Sequence, residues 1–216
     1  MLPQMFMNES DKGYLKDSFS MWCHTSNFDN ILAKAENYSS YDQKLSQIAT
    51  FNDKKAFWNV FQHLAKPSDL PAGVEYHIFK KDIKPSWEDE KNINGGKLSF
   101  LVNKGYSSLI WEEMVISFIG SVIPDYDLIN GICISVKKTY DVAQIWFNSY
   151  DREKIHKLRN EIKTFFMIPA MVNMKIKTFQ KLTPGEISHD FKSFENKAIS
   201  FERKGKGKNS AKIEHH

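Results

Sequence analysis

Helical and extended segments follow one another in this sequence without a regular alternation, and their order restricts the fold class. Three segments carry apolar residues at helical spacing, and they lie among short runs rich in β-branched and aromatic residues. Several of these runs are separated only by turns, which favours antiparallel pairing. The sequence therefore predicts an α+β fold, with helices gathered on one face of an antiparallel sheet and the other face left for a ligand.

Each helical segment has its own boundaries and apolar stripe. The first follows Asn52 or Asp53, either of which can cap it, and ends before Pro67. The second spans residues 108–121, and the third begins near Asp151. The stripes consist of Phe57, Phe61 and Leu64 in the first segment, Trp111, Val115, Phe118 and Val122 in the second, and Ile155, Leu158, Ile162 and Phe165 in the third.

Five runs are predicted to form strands of the sheet. They comprise residues 76–80, 97–103, 131–137, 142–149 and 171–179. Gly95 and Gly96 precede the second run and follow Asn94. This pattern indicates a tight turn with positive φ rather than a phosphate-binding loop.

The chain divides into one body and two tails. Residues 1–13 and 183–216 are polar and lack periodic apolar positions, so we expect flexible tails around a domain at 14–182. Most of the formal net charge of +4 lies in residues 201–216, and the body is nearly balanced. A solvated end explains this basic tail, and weak attraction to phosphate is the alternative.

Several classes of protein are not expected. The longest apolar stretch, residues 114–123, is shorter than the roughly 18–20 residues of a membrane span, and the first 13 residues do not resemble a signal peptide. We therefore expect a cytoplasmic protein. The sequence also lacks a P-loop, a nucleophile elbow and a dinucleotide fingerprint, so we expect no enzyme.

Cysteine and histidine usage predicts no metal site and no cofactor. Cys23 and Cys133 are the only cysteines, and without an export signal they are expected to be reduced thiols. There is no Cys-x-x-Cys pair, and the seven histidines show no spacing typical of metal ligands.

The segment Pro-Ser-Trp-Glu-Asp-Glu-Lys-Asn at residues 85–92 points to a ligand. Trp87 is followed by three carboxylates that need water, so we expect its ring at an exposed edge. The ring could fold back onto the body, or it could stack on a flat cationic ring while Glu88 accepts two in-plane hydrogen bonds. Guanine methylated at N7 is such a ring. Asp89 and Glu90 are expected to be solvated structural neighbours.

From about residue 19 to residue 179 the sequence resembles the eukaryotic translation initiation factor 4E family, which binds the 7-methylguanosine cap of mRNA. The matching motifs are Phe19-Ser-Met-Trp22, Thr50-Phe51, Phe57-Trp58, Phe79 through Asn92, Gly95-Gly96-Lys97, Trp111, Ile119-Gly120, Gly131 and Ile145-Trp146. The resemblance implies a curved antiparallel sheet with three helices on its convex face and a cap-binding slot on its concave side.

The resemblance also implies which side chains read the cap. Two aromatic rings enclose the methylated base in the family. The second matches Trp87, and the first, usually Trp, matches Tyr41, with Tyr38 as a nearby competitor. Glu88 matches the carboxylate that receives the guanine N1 and N2 protons, and Trp146 matches the ring that contacts the N7-methyl group.

Phosphate binding departs from the family pattern. Lys137 matches a phosphate-binding Arg, and Lys97 matches a second basic position. A third basic residue of the family is replaced by Val142, and Lys in place of Arg loses the bidentate fork. We therefore expect weaker cap binding than in a typical member. At Phe19 and Tyr41 the sequence resembles the second class of the family, the 4E-homologous proteins, whose members often repress translation.

Partner binding is implied on the helical side. Trp58 and Glu113 match the residues that hold a Tyr-x-x-x-x-Leu-hydrophobic peptide from initiation scaffold factor 4G or from 4E-binding proteins. Lys54 and Glu112 replace apolar residues, so we expect altered partner choice. The expected protein is a monomer that binds capped mRNA. Two alternatives stay open: an interaction module or repressor with weak or lost cap affinity, and a general single-strand RNA binder.

Overall fold

This computed structural model describes residues 13–25, 44–149 and 151–179. Seven strands form one curved antiparallel sheet. The strands are β1 (Tyr14–Thr25), β2 (Leu45–Asp53), β3 (Val74–Lys80), β4 (Gly96–Val102), β5 (Ile129–Val136), β6 (Asp141–Phe147) and β7 (Lys175–Thr178). Their order in the sheet is β2-β1-β3-β5-β6-β4-β7.

Three helices pack on one face of this sheet: α1 (Lys54–Phe61), α2 (Ser107–Ile119) and α3 (Arg152–Phe165). Phe57, Trp111 and Leu158, one from each helix, are buried in the same core as Ile78 and Ile132 of the central strands. Burial of each such side chain stabilises the fold by about 1.5–3 kcal/mol. The predicted α+β fold, with its helices on one face, is confirmed. Within the described ranges, no helix has the length and apolar character of a membrane span.

The helices α1 and α3 begin where the sequence predicted. The side chain of Asp53 accepts a hydrogen bond from the backbone N of Ala56 at 2.8 Å, so Asp53 is the N-cap of α1. Asp151 caps α3 by accepting hydrogen bonds from the backbone N atoms of Glu153 and Lys154. Each carboxylate satisfies backbone donors that have no partner within the helix.

The assignment of two residues to the apolar stripes was wrong. Val122 is exposed because α2 ends at Ile119, with Gly120 as its C-cap, and Ser121 adopts a left-handed conformation with φ of 57°. Phe165 is also exposed, and its neighbour Phe166 is buried instead. Phe166 lies four residues after the buried Ile162, so it falls on the same side of the helix.

The five predicted strands are present with shifted ends, and two strands were missed. The missed strands, β1 and β2, pair along one side of the sheet. Their register shifts between Tyr14 and Phe19 and again between Met21 and Trp22. These irregularities interrupt the apolar alternation that identifies a strand in sequence.

The predicted positive φ at Gly95 and Gly96 was wrong. Among the described residues the glycines with positive φ are Gly13 and Gly73. A Cβ atom at Gly95 would lie 1.8 Å from the backbone O of Phe147, and one at Gly96 would lie 2.3 Å from the backbone O of Lys177. Glycine is needed at both positions because neighbouring backbone approaches too closely for a side chain.

The sheet face opposite the helices is called here the open face. Strand pairing arranges its side chains in rows that cross the sheet. One row contains Ser20, Phe79, Gly131, Trp146, Lys97 and Lys177; the next contains Trp22, His77, Cys133, Gln144 and Ser99; the third contains His24, Glu75, Ser135, Val142 and Leu101. Apolar, basic and acidic groups therefore share this face.

Candidate functional site

The loop of residues 81–95 between β3 and β4 is folded by its own polar side chains. The carboxylate of Asp89 accepts hydrogen bonds from the backbone N atoms of Lys84 and Lys91, both at 2.9 Å. Asp89 was predicted to be a solvated structural neighbour, and its carboxylate does have a structural role because it closes the loop, although its side chain is only partly exposed. Only its neighbour Glu90 is exposed as expected.

Asn92 joins this loop to the sheet. Its side chain is fully buried, and its Nδ2 donates to the backbone O atoms of Lys84 and Ser86, both at 2.9 Å. Its Oδ1 accepts a hydrogen bond from Nδ2 of Asn130, a residue of β5, at 2.9 Å. Sequence reasoning missed this pair because the two residues are 38 positions apart and neither belongs to an apolar pattern.

Replacing Asn92 with Ala is expected to destabilise the protein by about 2–3 kcal/mol, because buried carbonyl and amide groups lose their partners. The free energy of unfolding from chemical denaturation measures this loss. Asn59→Ala, at an exposed position of α1, is the matched control and should change stability by less than about 0.5 kcal/mol. Equal effects of the two variants would show that Asn92 does not anchor the loop.

Trp87 and Glu88 lie on the surface of this loop. The side chain of Trp87 is 54% exposed, which confirms the predicted exposure. Glu88 is exposed beside it, and the hydroxyl of Ser86 donates a hydrogen bond to its carboxylate. A flat aromatic surface and an acceptor carboxylate are thus presented side by side on an anchored loop.

Trp146 lies on β6, and its side chain is on the open face. It is only 6% exposed, and its ring contacts Phe79 and Phe179 at centroid distances of 5.3 and 4.7 Å. These residues and Ile83 form a small apolar cluster separate from the main core. Within the described part of the chain, the indole N–H of Trp146 has no hydrogen-bond partner.

The two predicted phosphate-binding lysines also lie on this side of the sheet. Lys97 places its Nζ 5.4 Å from the centroid of the Trp146 ring and donates a hydrogen bond to Oε1 of Gln144 at 2.8 Å. Burial lowers the pKa of Lys97. Lys137 follows β5, and its Nζ donates to Oε1 of Glu75 at 3.0 Å. A phosphate would have to share each ammonium group with an internal acceptor.

Glu75, His77 and Cys133 form a group on the same face, in which His77 and Cys133 are buried and Glu75 is partly buried. One potential ligand atom from each lies within 4.8 Å of those from the other two. Burial lowers the pKa of His77 to about 4, although the charge of Glu75 acts in the opposite direction. Sequence reasoning missed this group because Cys133 meets His77 only through the pairing of β3 with β5.

The predicted partner residues lie on the helices. Trp58 of α1 is 44% exposed, and its ring packs against Phe57 and Phe61. Glu113 of α2 borders a shallow groove with Ile116 and residues 165–167. Tyr41, the predicted first stacking ring, lies outside the described residues, as do its competitor Tyr38 and the basic tail.

The sequence of this chain is similar to those of known proteins. The model of the family described as eukaryotic initiation factor 4E matches residues 14–199. The initiation factor NCBP of Triticum aestivum is 33% identical over 139 residues, or 64% of this chain. Initiation factor 4E of Saccharomyces cerevisiae is 33% identical over 127 residues, or 57% of this chain. This chain spans 60% of the length of each of these two relatives.

Solved structures show the same fold. A Caenorhabditis elegans eIF4E-3 in complex with the 4E-binding protein Mextli and a cap analog aligns with a TM-score of 0.67 and 22% identity, covering 76% of this chain and 91% of that one. Ascaris suum eIF4E-3 with an m2,2,7G cap aligns with a TM-score of 0.65 and 23% identity, covering 81% of this chain and 96% of that one.

Proposed function

Because this chain belongs to the eukaryotic initiation factor 4E family, we propose that it binds the 7-methylguanosine cap of mRNA and acts in translation initiation or its regulation. Family membership confirms the resemblance found in the sequence and the prediction that the chain is not an enzyme. Two similar solved structures carry a cap or a cap analog, which supports the proposal.

The exposed pair of Trp87 and Glu88 is the observation that carries this proposal. N7-methylation gives guanine a positive charge, and such a ring stacks favourably on an indole face. The carboxylate of Glu88 can accept the N1 and N2 protons of guanine together, and charged acceptors form the stronger hydrogen bonds. Adenine cannot donate this pair of protons. The anchored loop holds both groups in place before the ligand arrives, which lowers the entropic cost of binding.

In the proposal, residues of the open face and Tyr41 supply the other contacts. Trp146, which packs against Phe179, contacts the N7-methyl group of the base. Lys97 and Lys137 neutralise the phosphates that follow the cap nucleoside. Tyr41 supplies the second stacking surface. Because both lysines are shared with internal acceptors and Val142 replaces a cation, the contribution of the phosphates is smaller than in a typical family member.

Selective capture tests the proposed function. The protein should be retained on immobilised 7-methyl-GTP and released by free 7-methyl-GTP, whereas the same concentration of GTP should leave it bound. Retention of capped over uncapped RNA of identical sequence extends the test to mRNA. A folded protein that passes through the resin would favour the interaction module without useful cap affinity. Equal retention of both RNAs would favour a general single-strand binder.

Replacing Lys97 with Met is expected to weaken binding of 7-methyl-GTP about tenfold, because a charge-assisted phosphate contact is lost. Affinity for 7-methylguanosine, which has no phosphate, should stay unchanged. Calorimetric titration with both ligands measures the difference. Lys163→Met, on α3, is the matched control and should affect neither ligand. If Lys97→Met weakens both ligands equally, Lys97 supports the pocket rather than the phosphates.

We extend the proposal to partners on the helical side. Trp58→Ala is expected to weaken binding of a Tyr-x-x-x-x-Leu-hydrophobic peptide about 30-fold, because an exposed Trp is the kind of residue that dominates an interface. Fluorescence anisotropy of a labelled peptide measures this change. Cap affinity should be retained in Trp58→Ala, and peptide affinity should be retained in Trp87→Ala. Unchanged peptide affinity in Trp58→Ala would place the partner elsewhere.

A further inference from the structure

Strand geometry brings together three side chains with different donor atoms. Glu75 and His77 are alternate residues of β3 and therefore face the same side of the sheet. Cys133 of β5 pairs directly with His77. Their ligand atoms lie within 4.8 Å of one another. In a tetrahedral zinc site, bond lengths of about 2.0–2.3 Å separate neighbouring ligand atoms by roughly 3.3–3.8 Å, so rotation of these side chains would close the remaining distance.

The imidazole of His77 has no adequate partner in this group. The residue is 1% exposed, and within the described ranges neither ring nitrogen makes a hydrogen bond. The nearest ionic oxygen to its Nε2 is Oε2 of Glu75 at 3.7 Å, which is too long for a hydrogen bond. A buried polar group without a partner destabilises the fold. A metal ion would satisfy one of these nitrogens.

The two oxygens of the Glu75 carboxylate face different groups. Its Oε1 accepts a hydrogen bond from Nζ of Lys137 at 3.0 Å, and its Oε2 faces His77. Oε2 also lies 4.0 Å from Nδ1 of His24 on β1. Carboxylates that bind a metal through one oxygen are commonly oriented by a hydrogen bond to the other.

The nearby lysines are compatible with a bound metal ion because the charges at the site would balance. A divalent ion held by the carboxylate of Glu75 and the thiolate of Cys133 forms a group with no net charge, so Lys137 and Lys97 do not repel it as they would a bare cation. On binding, the Cys133 thiol gives its proton to solvent and the sulfur forms the metal bond. Neutral imidazole supplies a nitrogen without further proton release.

We propose that Glu75, His77 and Cys133 bind Zn²⁺ on the open face, with His24 or water as the fourth ligand. A mixed set of nitrogen, oxygen and sulfur donors suits this borderline ion. The site differs from the proposed cap contacts, and it does not rest on cap binding. Sequence spacing had predicted no metal site, because the ligands come from neighbouring strands rather than from one local motif.

Cobalt is a spectroscopic substitute for zinc that tests this site in the reduced 216-residue chain. We expect one equivalent of Co²⁺ to give the visible bands of tetrahedral cobalt and a near-ultraviolet band from thiolate to metal. Added Zn²⁺ should remove both and raise the melting temperature. Cys133→Ser should abolish the thiolate band, and His77→Gln should weaken Co²⁺ binding by at least about tenfold.

Two control variants distinguish this site from adventitious binding. Cys23→Ser removes the other thiol. Cys23 pairs with Tyr76, and its side chain lies on the opposite face of the sheet, so this variant should keep the full spectrum. A double replacement of His215 and His216 by Ala should also keep it. If Cys133→Ser does not fold, Cys133→Val takes its place. A thiolate band that survives at Cys133→Ser, a spectrum lost with the terminal histidines, or no tetrahedral spectrum at all would overturn the proposal.

Discussion

Replacing Trp87 with Ala is expected to lower the affinity for 7-methyl-GTP by about 30-fold or more and to leave the stability of the protein nearly unchanged. A desolvated cation–π contact is worth about 2 kcal/mol or more, and stacking area is lost with it. Because the ring is more than half exposed in the free protein, its removal should change the free energy of unfolding by less than about 0.5 kcal/mol. Titration and thermal unfolding of the same preparation measure both quantities.

Trp58→Ala is the control for Trp87→Ala. Both variants remove an exposed indole, but Trp58 lies on helix α1 and Trp87 on the loop of residues 81–95. Only Trp87→Ala should lose cap affinity. A large loss of stability in Trp87→Ala would mean that the ring is structural, and unchanged affinity in a folded variant would contradict the proposed stacking.

Replacing Glu88 with Gln is expected to weaken 7-methyl-GTP binding by about 100-fold. The amide removes the negative charge and can no longer accept two protons from one guanine edge, and charged hydrogen bonds contribute about 1.5–3 kcal/mol each. Discrimination between 7-methyl-GTP and GTP should be largely retained, because Trp87 can still stack on the positively charged base. Competition titration with both nucleotides measures the affinity and the ratio.

Glu90→Gln is the matched control for Glu88→Gln. It removes another exposed carboxylate two positions along the same loop and should change cap affinity by less than about twofold. Similar losses in the two variants would indicate that general negative charge on the loop matters, rather than a specific contact with guanine.

The sequence predicted best the features that depend on local spacing. The start of α1 after Asp53, the start of α3 near Asp151 and the buried residues Ile155, Leu158 and Ile162 follow from short-range patterns that fix backbone geometry within a few residues. The exposure of Trp87 followed from its charged neighbours in the same way. By contrast, β1 and β2 escaped prediction because register shifts break their alternation.

Features that depend on distant pairing could not be predicted from spacing. Asn92 and Asn130 meet only after the loop folds against β5, and Cys133 meets His77 only through the sheet. Gly95 illustrates a second limit. Its turn-like context suggested a positive φ, whereas the reason for glycine there is the approach of the backbone of Phe147. Sequence shows which residue is unusual but not which neighbour makes it necessary.

Intrinsic tryptophan fluorescence during titration with 7-methyl-GTP and, separately, with GTP at one salt concentration is the most direct test of cap binding. The proposal predicts quenching that saturates with the methylated nucleotide and little response to GTP over the same range, because only the methylated base carries the positive charge that the indole binds. No response to either nucleotide from folded protein, or equal affinity for both, would contradict it.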